Sequence, residues 1–299
     1  MDLELPLFWS DQYPPIQNKS INLGLLNILD NQNLEIFCRM PYLVAGDILV
    51  SPGRGTFGGL LAENYSELNE IHVRSLLEQI ATQFVQCEEL RITFPPNYFL
   101  NGYFISQIET LQVYAKDSFN DLNQHIPVSK WQPRNFSHGN RKKIRQFSES
   151  NGTVEMALPD EWSKAYQVLS KNRAARGVEL SLSEDEFSRN LREYSSTYGL
   201  LVCKKENEII AAAYLVRISG NNLYVLYWGE SSEYRNLSPV ASLASRLIEI
   251  CKNEKIDNLD LGISSLEGIV DEGLMRFKSN LGAESSLKTT LKVSLHQFR

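Results

Sequence analysis

The chain has 299 residues, 42% hydrophobic and 22% charged, the balance of a globular protein with room for about two domains. Its formal charge of −6 excludes a chain that is basic throughout, while leaving room for a local basic patch. The four cysteines (Cys38, Cys87, Cys203, Cys251) are widely spaced in apolar segments, and no Cys or His pair has ligand spacing. Buried free thiols, a reducing cytoplasmic setting and no metal site are therefore expected. The start, Met1-Asp-Leu-Glu-Leu-Pro6, lacks the basic stretch of a secretory signal, and the longest apolar run, Ile209–Val216, is too short to span a bilayer.

In chain order, the first 22 residues hold Pro6, Pro14 and Pro15 and show no periodicity. Leu34–Cys38, Tyr42–Val44 and Asp47–Ser51 read as short strands joined by turns at Pro41 and Gly46. Ser51-Pro-Gly-Arg-Gly-Thr-Phe-Gly-Gly59 carries four glycines in nine residues, enough for tight turns or close backbone approach to a ligand. A helix over Glu67–Cys87 stacks Val73, Leu76, Leu77, Ile80, Ala81, Phe84 and Cys87 on one face. Leu90, Ile92 and Phe94 then alternate with Arg91 and Thr93 as a strand. Leu111–Ala115 is expected as a strand, Ser118–His125 as an acidic turn or short helix, and Pro127–Pro133 as the junction between two lobes.

Past the junction, a helix opens near His138 with Arg141, Lys142, Lys143 and Arg145, and Gly152 ends it. That cluster is either a solvated face or a cationic patch for phosphate on a nucleotide, lipid or RNA. Pro159–Asn172 is a further helix, Arg176-Gly177 a turn, and Ser183–Glu186 a capping box for a helix over Glu184–Tyr194. Leu200–Cys203, Ile209–Ile218 and Leu223–Trp228 are strands. A helix over Ser238–Lys252 follows, with Ser238 as N-cap and Pro239 at the first helical position. Leu259, Leu261 and Ile263 alternate with Asp260 and Gly262, as in a strand buried on one side. A helix with Arg276, Phe277 and Lys278 and a closing strand from Leu287 to Leu295 complete the chain. Both halves read strand, strand, strand, helix, strand, which suggests an internal duplication.

Four pieces carry a family resemblance: Asn258-Leu-Asp-Leu-Gly262, Gly273-Leu-Met-Arg-Phe-Lys-Ser-Asn-Leu-Gly282, the run Asn140–Gly152, and Asn172-Arg-Ala-Ala-Arg-Gly177. Their order over residues 136–295 resembles the GNAT acyltransferase superfamily, and within it the FemAB-like branch. The resemblance implies a mixed α/β fold of two GNAT-like lobes, each a mostly antiparallel sheet flanked by helices. A degenerate lobe over residues 1–130 would precede the acyltransferase lobe over 131–299. GNAT enzymes hold the acyl-CoA pyrophosphate with an Arg/Gln-x-x-Gly-x-Gly/Ala loop, whereas Arg235-Asn-Leu-Ser-Pro-Val-Ala241 has neither glycine.

The activity so implied is transfer of an acyl group from a thioester such as acyl-CoA, a co-substrate and not a permanently bound cofactor, to an amine-bearing acceptor. Two alternatives stand beside it: an aminoacyl-tRNA-dependent transferase of the Fem type, and a non-catalytic binding protein on the same fold. Direct attack on a polarised carbonyl needs backbone amides or a cation at the oxygen and a proton acceptor. The amides are expected at the end of the Leu223–Trp228 strand near Gly229, with Glu230 as base and Lys278 as the cation. Gly229, Leu237, Ser238, Val240 and Ala241 form the expected donor-binding corner, at a helix N-terminus that favours an anion. Arg173, Arg176, Tyr227, Arg141 and Arg145 are the expected substrate contacts.

Overall fold

The computed structural model of the chain describes residues 5–17, 21–29, 35–63 and 65–299, so Leu34 and residues 1–4 lie outside it. Two compact units are present. The first comprises Met1–Asn123, Ile263–Asp271 and Ser286–Arg299, and the second Gln124–Gly262 and Glu272–Ser285. The division expected after residue 130 has one crossing, whereas the chain passes between these units four times.

The first segment holds a short helix α1 (Pro14–Gln17) and strands β1 (Asn22–Leu29), β2 (Glu35–Ala45), β3 (Ile48–Ser51) and β4 (Leu61–Ala62). Helix α2 (Glu70–Gln83), strand β5 (Glu89–Thr93), helix α3 (Ile105–Tyr114) and strand β6 (Ala115–Pro127) follow. β1 runs antiparallel to β2 and β2 to β3, while β3 pairs with β5 in parallel. A parallel step needs a crossover, and α2 supplies it. Asn69 caps α2 by accepting the His72 amide at 3.0 Å, and Val73, Leu76, Leu77, Ile80 and Ala81 are buried as the periodicity predicts.

The second unit holds α4 (His138–Glu149), β7 (Thr153–Met156), α5 (Trp162–Ala174), α6 (Glu184–Glu193), β8 (Tyr198–Lys205), β9 (Glu208–Ser219) and β10 (Asn222–Glu230). Next come α7 (Pro239–Asn253) and β11 (Asn258–Ile263), and beyond them β12 (Ser265–Leu266), β13 (Ile269–Val270), α8 (Glu272–Ser279) and β14 (Glu284–Ser294). β7, β8, β9 and β10 form an antiparallel meander, and β10 pairs with β11 in parallel across α7. β1-β2-β3-α2-β5 and β8-β9-β10-α7-β11 thus repeat one topology, although in the first half the two strands expected on either side of Pro41 are one, β2, and β1 is not among those expected. The core of the second unit is the buried face of α7 (Leu243, Ala244, Leu247, Ile248, Cys251) against Leu201, Ala211, Ala213 and Leu259.

Five local expectations are corrected. Leu111–Ala115 ends helix α3, and Ser118–His125 is the middle of strand β6. No turn interrupts the chain at Pro41. That residue pairs with Leu23 on one side and sits between the β4 partners Cys38 and Arg39 and the β3 partners Leu43–Ala45 on the other, where its missing N–H breaks no ladder. β11 is buried on both faces, since Leu259, Asp260, Leu261 and Gly262 are all inaccessible. Gly152 does follow α4, but Asn151 takes the left-handed turn (φ 58°); a Cβ on Gly152 would lie 2.2 Å from the Phe147 ring.

Two features of the first unit matter later. The β12–β13 hairpin turns through Glu267 (φ 50°) and Gly268 (φ 81°) and exposes Leu266 and Ile269. Buried Asp121 pins it, its Oδ1 accepting from Ser265 Oγ at 2.6 Å and the Gly268 amide at 3.0 Å. Residues Thr290–Ser294 of β14 pair antiparallel with β5. The four cysteines are buried free thiols, and burial pushes those of Cys38, Cys203 and Cys251 up to about 12. Among the described residues no helix is long and apolar enough to cross a membrane.

Candidate active site between two diverging strands

β10 and β11 pair only over Asn222–Tyr224 and Asn258–Asp260, then separate. Within the diverging part of β10 the register against β9 shifts, with Val225 opposite Leu215 and Tyr227 opposite Tyr214, leaving Leu226 as a bulge without a partner in β9. A bulge turns a backbone amide out of the ladder. The bulge at Leu226 lies three residues before Gly229, near which the polarising amide is expected.

Beside this opening lies a polar cluster in an otherwise apolar setting. Gly262 takes φ 76°, its amide donating to Asp260 Oδ1 at 2.7 Å and its carbonyl accepting from Lys278 Nζ at 2.8 Å. A Cβ on Gly262 would lie 2.9 Å from the Tyr224 hydroxyl, so only glycine lets that ring approach. Lys278 is 2% exposed, so its ammonium is held inside the protein and not at the surface of its helix. Burial, then the Asp260 charge, raises the Tyr224 phenol and keeps it protonated. The Tyr227 hydroxyl bonds Ser181 Oγ, and the Arg173 guanidinium lies 5.4 Å over the Tyr227 ring.

Glu230 stands elsewhere. At about 3.3 Å per residue it lies roughly 20 Å along β10 from Tyr224, whereas Gly262 lies only about 7 Å beyond Asp260. Counted from the paired residues Tyr224 and Asp260, Glu230 therefore lies four residues, about 13 Å, further along its strand than Gly262, the residue that Lys278 bonds. Instead the Glu230 carboxyl lies against the Val240 amide at the start of α7, with Arg235 Nε 3.7 Å away. Burial holds its carboxyl above the usual glutamate range, against the pull of Val240, Arg235, Arg176 and Lys143. Asn172, buried at the end of α5, donates from Nδ2 to the Glu230 carbonyl at 2.8 Å. Gly229 makes room for it: a Cβ there would meet Asn172 Cγ and Oδ1 at 2.7 Å.

The expected donor-binding corner is altered by the same contacts. Ser238 precedes α7 in a left-handed conformation (φ 49°) and makes no side-chain cap; its Oγ accepts from Lys143 Nζ at 2.9 Å. Pro239 has no N–H, the Val240 amide faces the Glu230 carboxylate, and the Ala241 amide goes to the Ser238 carbonyl at 3.0 Å. The first turn therefore offers an anion far less than a free helix end would. Ala241 packs in the core and Leu237 against it. A cleft of about 650 Å³ adjoins this corner, lined by Lys164, Lys171, Asn172, Glu208, Glu230 and Arg235. Arg176 is exposed in the turn before Gly177 (φ 73°), and Arg141 and Arg145 line a separate groove on α4.

Sequence reasoning missed Leu226, Asn172, Tyr224 and Asp260. Only Asp260 carried a signal, as an acid between leucines in an apolar strand.

No match was found among curated protein sequences. Among solved structures the fold is similar to FemX (13% identity, TM-score 0.65, 94% of this chain and 90% of that one). It is also similar to L-PGS from Bacillus licheniformis (12% identity, TM-score 0.57, 91% and 84%) and to a tandem GNAT protein from the clavulanic acid biosynthesis pathway (7% identity, TM-score 0.54, 91% and 83%). The FemAB family matches residues 117–286, more than half of the sequence, and the chain belongs to that family.

Proposed function

We propose that the protein transfers an aminoacyl or acyl group from an activated ester to a primary amine, the reacting carbonyl lying in the opening between β10 and β11. The amine nitrogen attacks the carbonyl carbon, the C–N bond forms as the C–O bond breaks, and the departing oxygen takes up the proton the amine sheds. The Leu226 amide and the Lys278 ammonium face the charge that develops on the carbonyl oxygen. The Gly262 carbonyl, its own amide fixed by Asp260, holds Lys278 in place, and Arg173 with Tyr227 lines the approach of the acceptor.

The observation that carries this reading is a buried lysine beside two parallel strands that diverge at a bulge. Membership of the FemAB family supports acyl or aminoacyl transfer as the chemistry. On the donor, the engaged first turn of α7 weighs against a CoA pyrophosphate held there and favours an aminoacyl ester of the Fem type. The test is to offer aminoacyl-tRNA and acetyl-CoA separately with a panel of primary amines and to follow amide formation by mass spectrometry. Transfer from the aminoacyl ester is expected. Amide formation from acetyl-CoA alone would overturn the donor assignment, and none from either donor would favour a binding protein on this fold.

A further inference from the structure

A groove between α4 and α7 in the second unit is built from a chemistry the transfer site does not use. Its floor is Trp131, Phe136, Ile144 and Ile248, its rim carries Arg141, Arg145 and Lys252, and its volume is about 440 Å³. That volume falls within the roughly 300–1,000 Å³ of small-molecule sites. The rim is net positive. Lys252 Nζ donates to the Trp131 carbonyl at 3.2 Å and Arg141 to the Arg134 carbonyl at 3.3 Å; among the described residues neither is in an ion pair. The nearby acids are already engaged, Glu249 with Arg246 at 3.0 Å and Glu149 with Arg145 at 3.7 Å.

The geometry of Trp131 decides what the floor accepts. Lys252 Nζ lies 5.0 Å over its ring, Phe136 packs against it edge-on at 4.9 Å, and its indole N–H is spent on the Leu281 carbonyl at 3.1 Å. The indole is thus a wall and not a platform for a stacked base. Together with Ile144 and Ile248 it suits a flexible aliphatic chain.

We propose that this groove binds a single-chain anionic amphiphile. The alkyl chain lies along Trp131, Phe136, Ile144 and Ile248, and a carboxylate or phosphate head meets Arg141, Arg145 and Lys252. This site is independent of the transfer reaction proposed above.

Calorimetric titration with hexyl, octyl and decyl phosphate, each below its micelle concentration, tests it. Affinity should rise about fourfold per methylene until the groove is full. Octanol and inorganic phosphate should each bind at least about tenfold more weakly than octyl phosphate. Ser245→Trp, which fills the groove from α7, should abolish binding. Arg141→Glu with Lys252→Glu changes exposed side chains only, and should do the same without disturbing the packing. The proposal is overturned if decyl phosphate does not bind, if affinity ignores chain length, or if the folded variants bind as the parent does. Attachment to anionic phosphatidylglycerol vesicles without uptake of monomeric decyl phosphate would also overturn it, in favour of a membrane-surface contact.

Discussion

The Glu230 carboxylate lies against the Val240 amide at the second position of α7, so a helix end that would attract an anion is occupied by the chain's own acid. Because burial raises this carboxyl, its charged form is disfavoured by folding. The folded state then holds the proton more tightly than the unfolded chain, and stability falls as pH rises from the ordinary glutamate value toward the raised one. Glu230→Gln keeps an acceptor for Val240 and removes the titration. It should raise the melting temperature at pH 7 relative to the parent and flatten the pH dependence. Its turnover should stay within about tenfold, whereas loss of a general base would cost roughly a hundredfold or more. Scanning calorimetry at pH 4.5 and 7 with a transfer assay reads both.

Lys278→Met leaves the Gly262 carbonyl without its buried donor, a loss of about 1–3 kcal/mol on unfolding. Transfer should fall by about two orders of magnitude or more, as for a lost oxyanion contact. Lys278→Arg should recover stability in part and activity less, because a planar fork does not sit where a point charge did. Urea denaturation and single-turnover rates, taken well below each melting temperature, separate the two effects. Full turnover in the methionine variant would make the lysine a purely structural residue.

Gly229→Ala drives a Cβ into Asn172 and should cost about 1–3 kcal/mol through overpacking. An Asn172→Ala background removes Cγ and Oδ1 but leaves a Cβ 2.9 Å away, so the same change should cost less there without becoming neutral. A double-mutant cycle measures this coupling directly, and additive costs would mean that the strand end, not Asn172, absorbs the strain.

Asp121→Ala removes both bonds that hold the β12–β13 hairpin. We expect about 1–3 kcal/mol lower stability and faster amide exchange confined to residues 265–270. Exchange spread evenly over β6 instead would show that the aspartate supports the strand and not the hairpin.

The second unit was the more legible in sequence because its signals are local and strong. The apolar face of α7, the meander β8–β10 and the cap at Ser183 each follow from spacing within one segment. β6 failed for the opposite reason. Lys116, Asp117, Ser118, Asn120, Asp121, Asn123 and Gln124 give it almost no strand propensity, and it is a strand because neighbours satisfy its polar groups. α3 was hidden similarly, since it buries only Gln107 and Leu111, too few positions to set a helical period. At the site, Lys278 could be named from its motif, but its burial and the 2.8 Å bond to Gly262 arise from an element sixteen residues away. Glu230 stands at the expected strand end, but its setting against α7 could not be read, because distance along a diverging strand leaves no mark in spacing.

The partnership of β14 with β5 has a consequence for biosynthesis. Residues 1–123 emerge first, but β5, paired with β3 on one side, gains its second partner only once Thr290–Ser294 have been made. The second unit needs nothing beyond Ser285. The usual order, in which the amino-terminal unit folds first on the ribosome, is thereby inverted: the unit begun earliest is finished last. Through most of translation the nascent chain displays an open β5 edge, a template for misplaced strand pairing. A chaperone or rapid completion of the chain has to guard that edge, and pulse-labelled exchange on stalled nascent chains should find β8–β10 protected before β5.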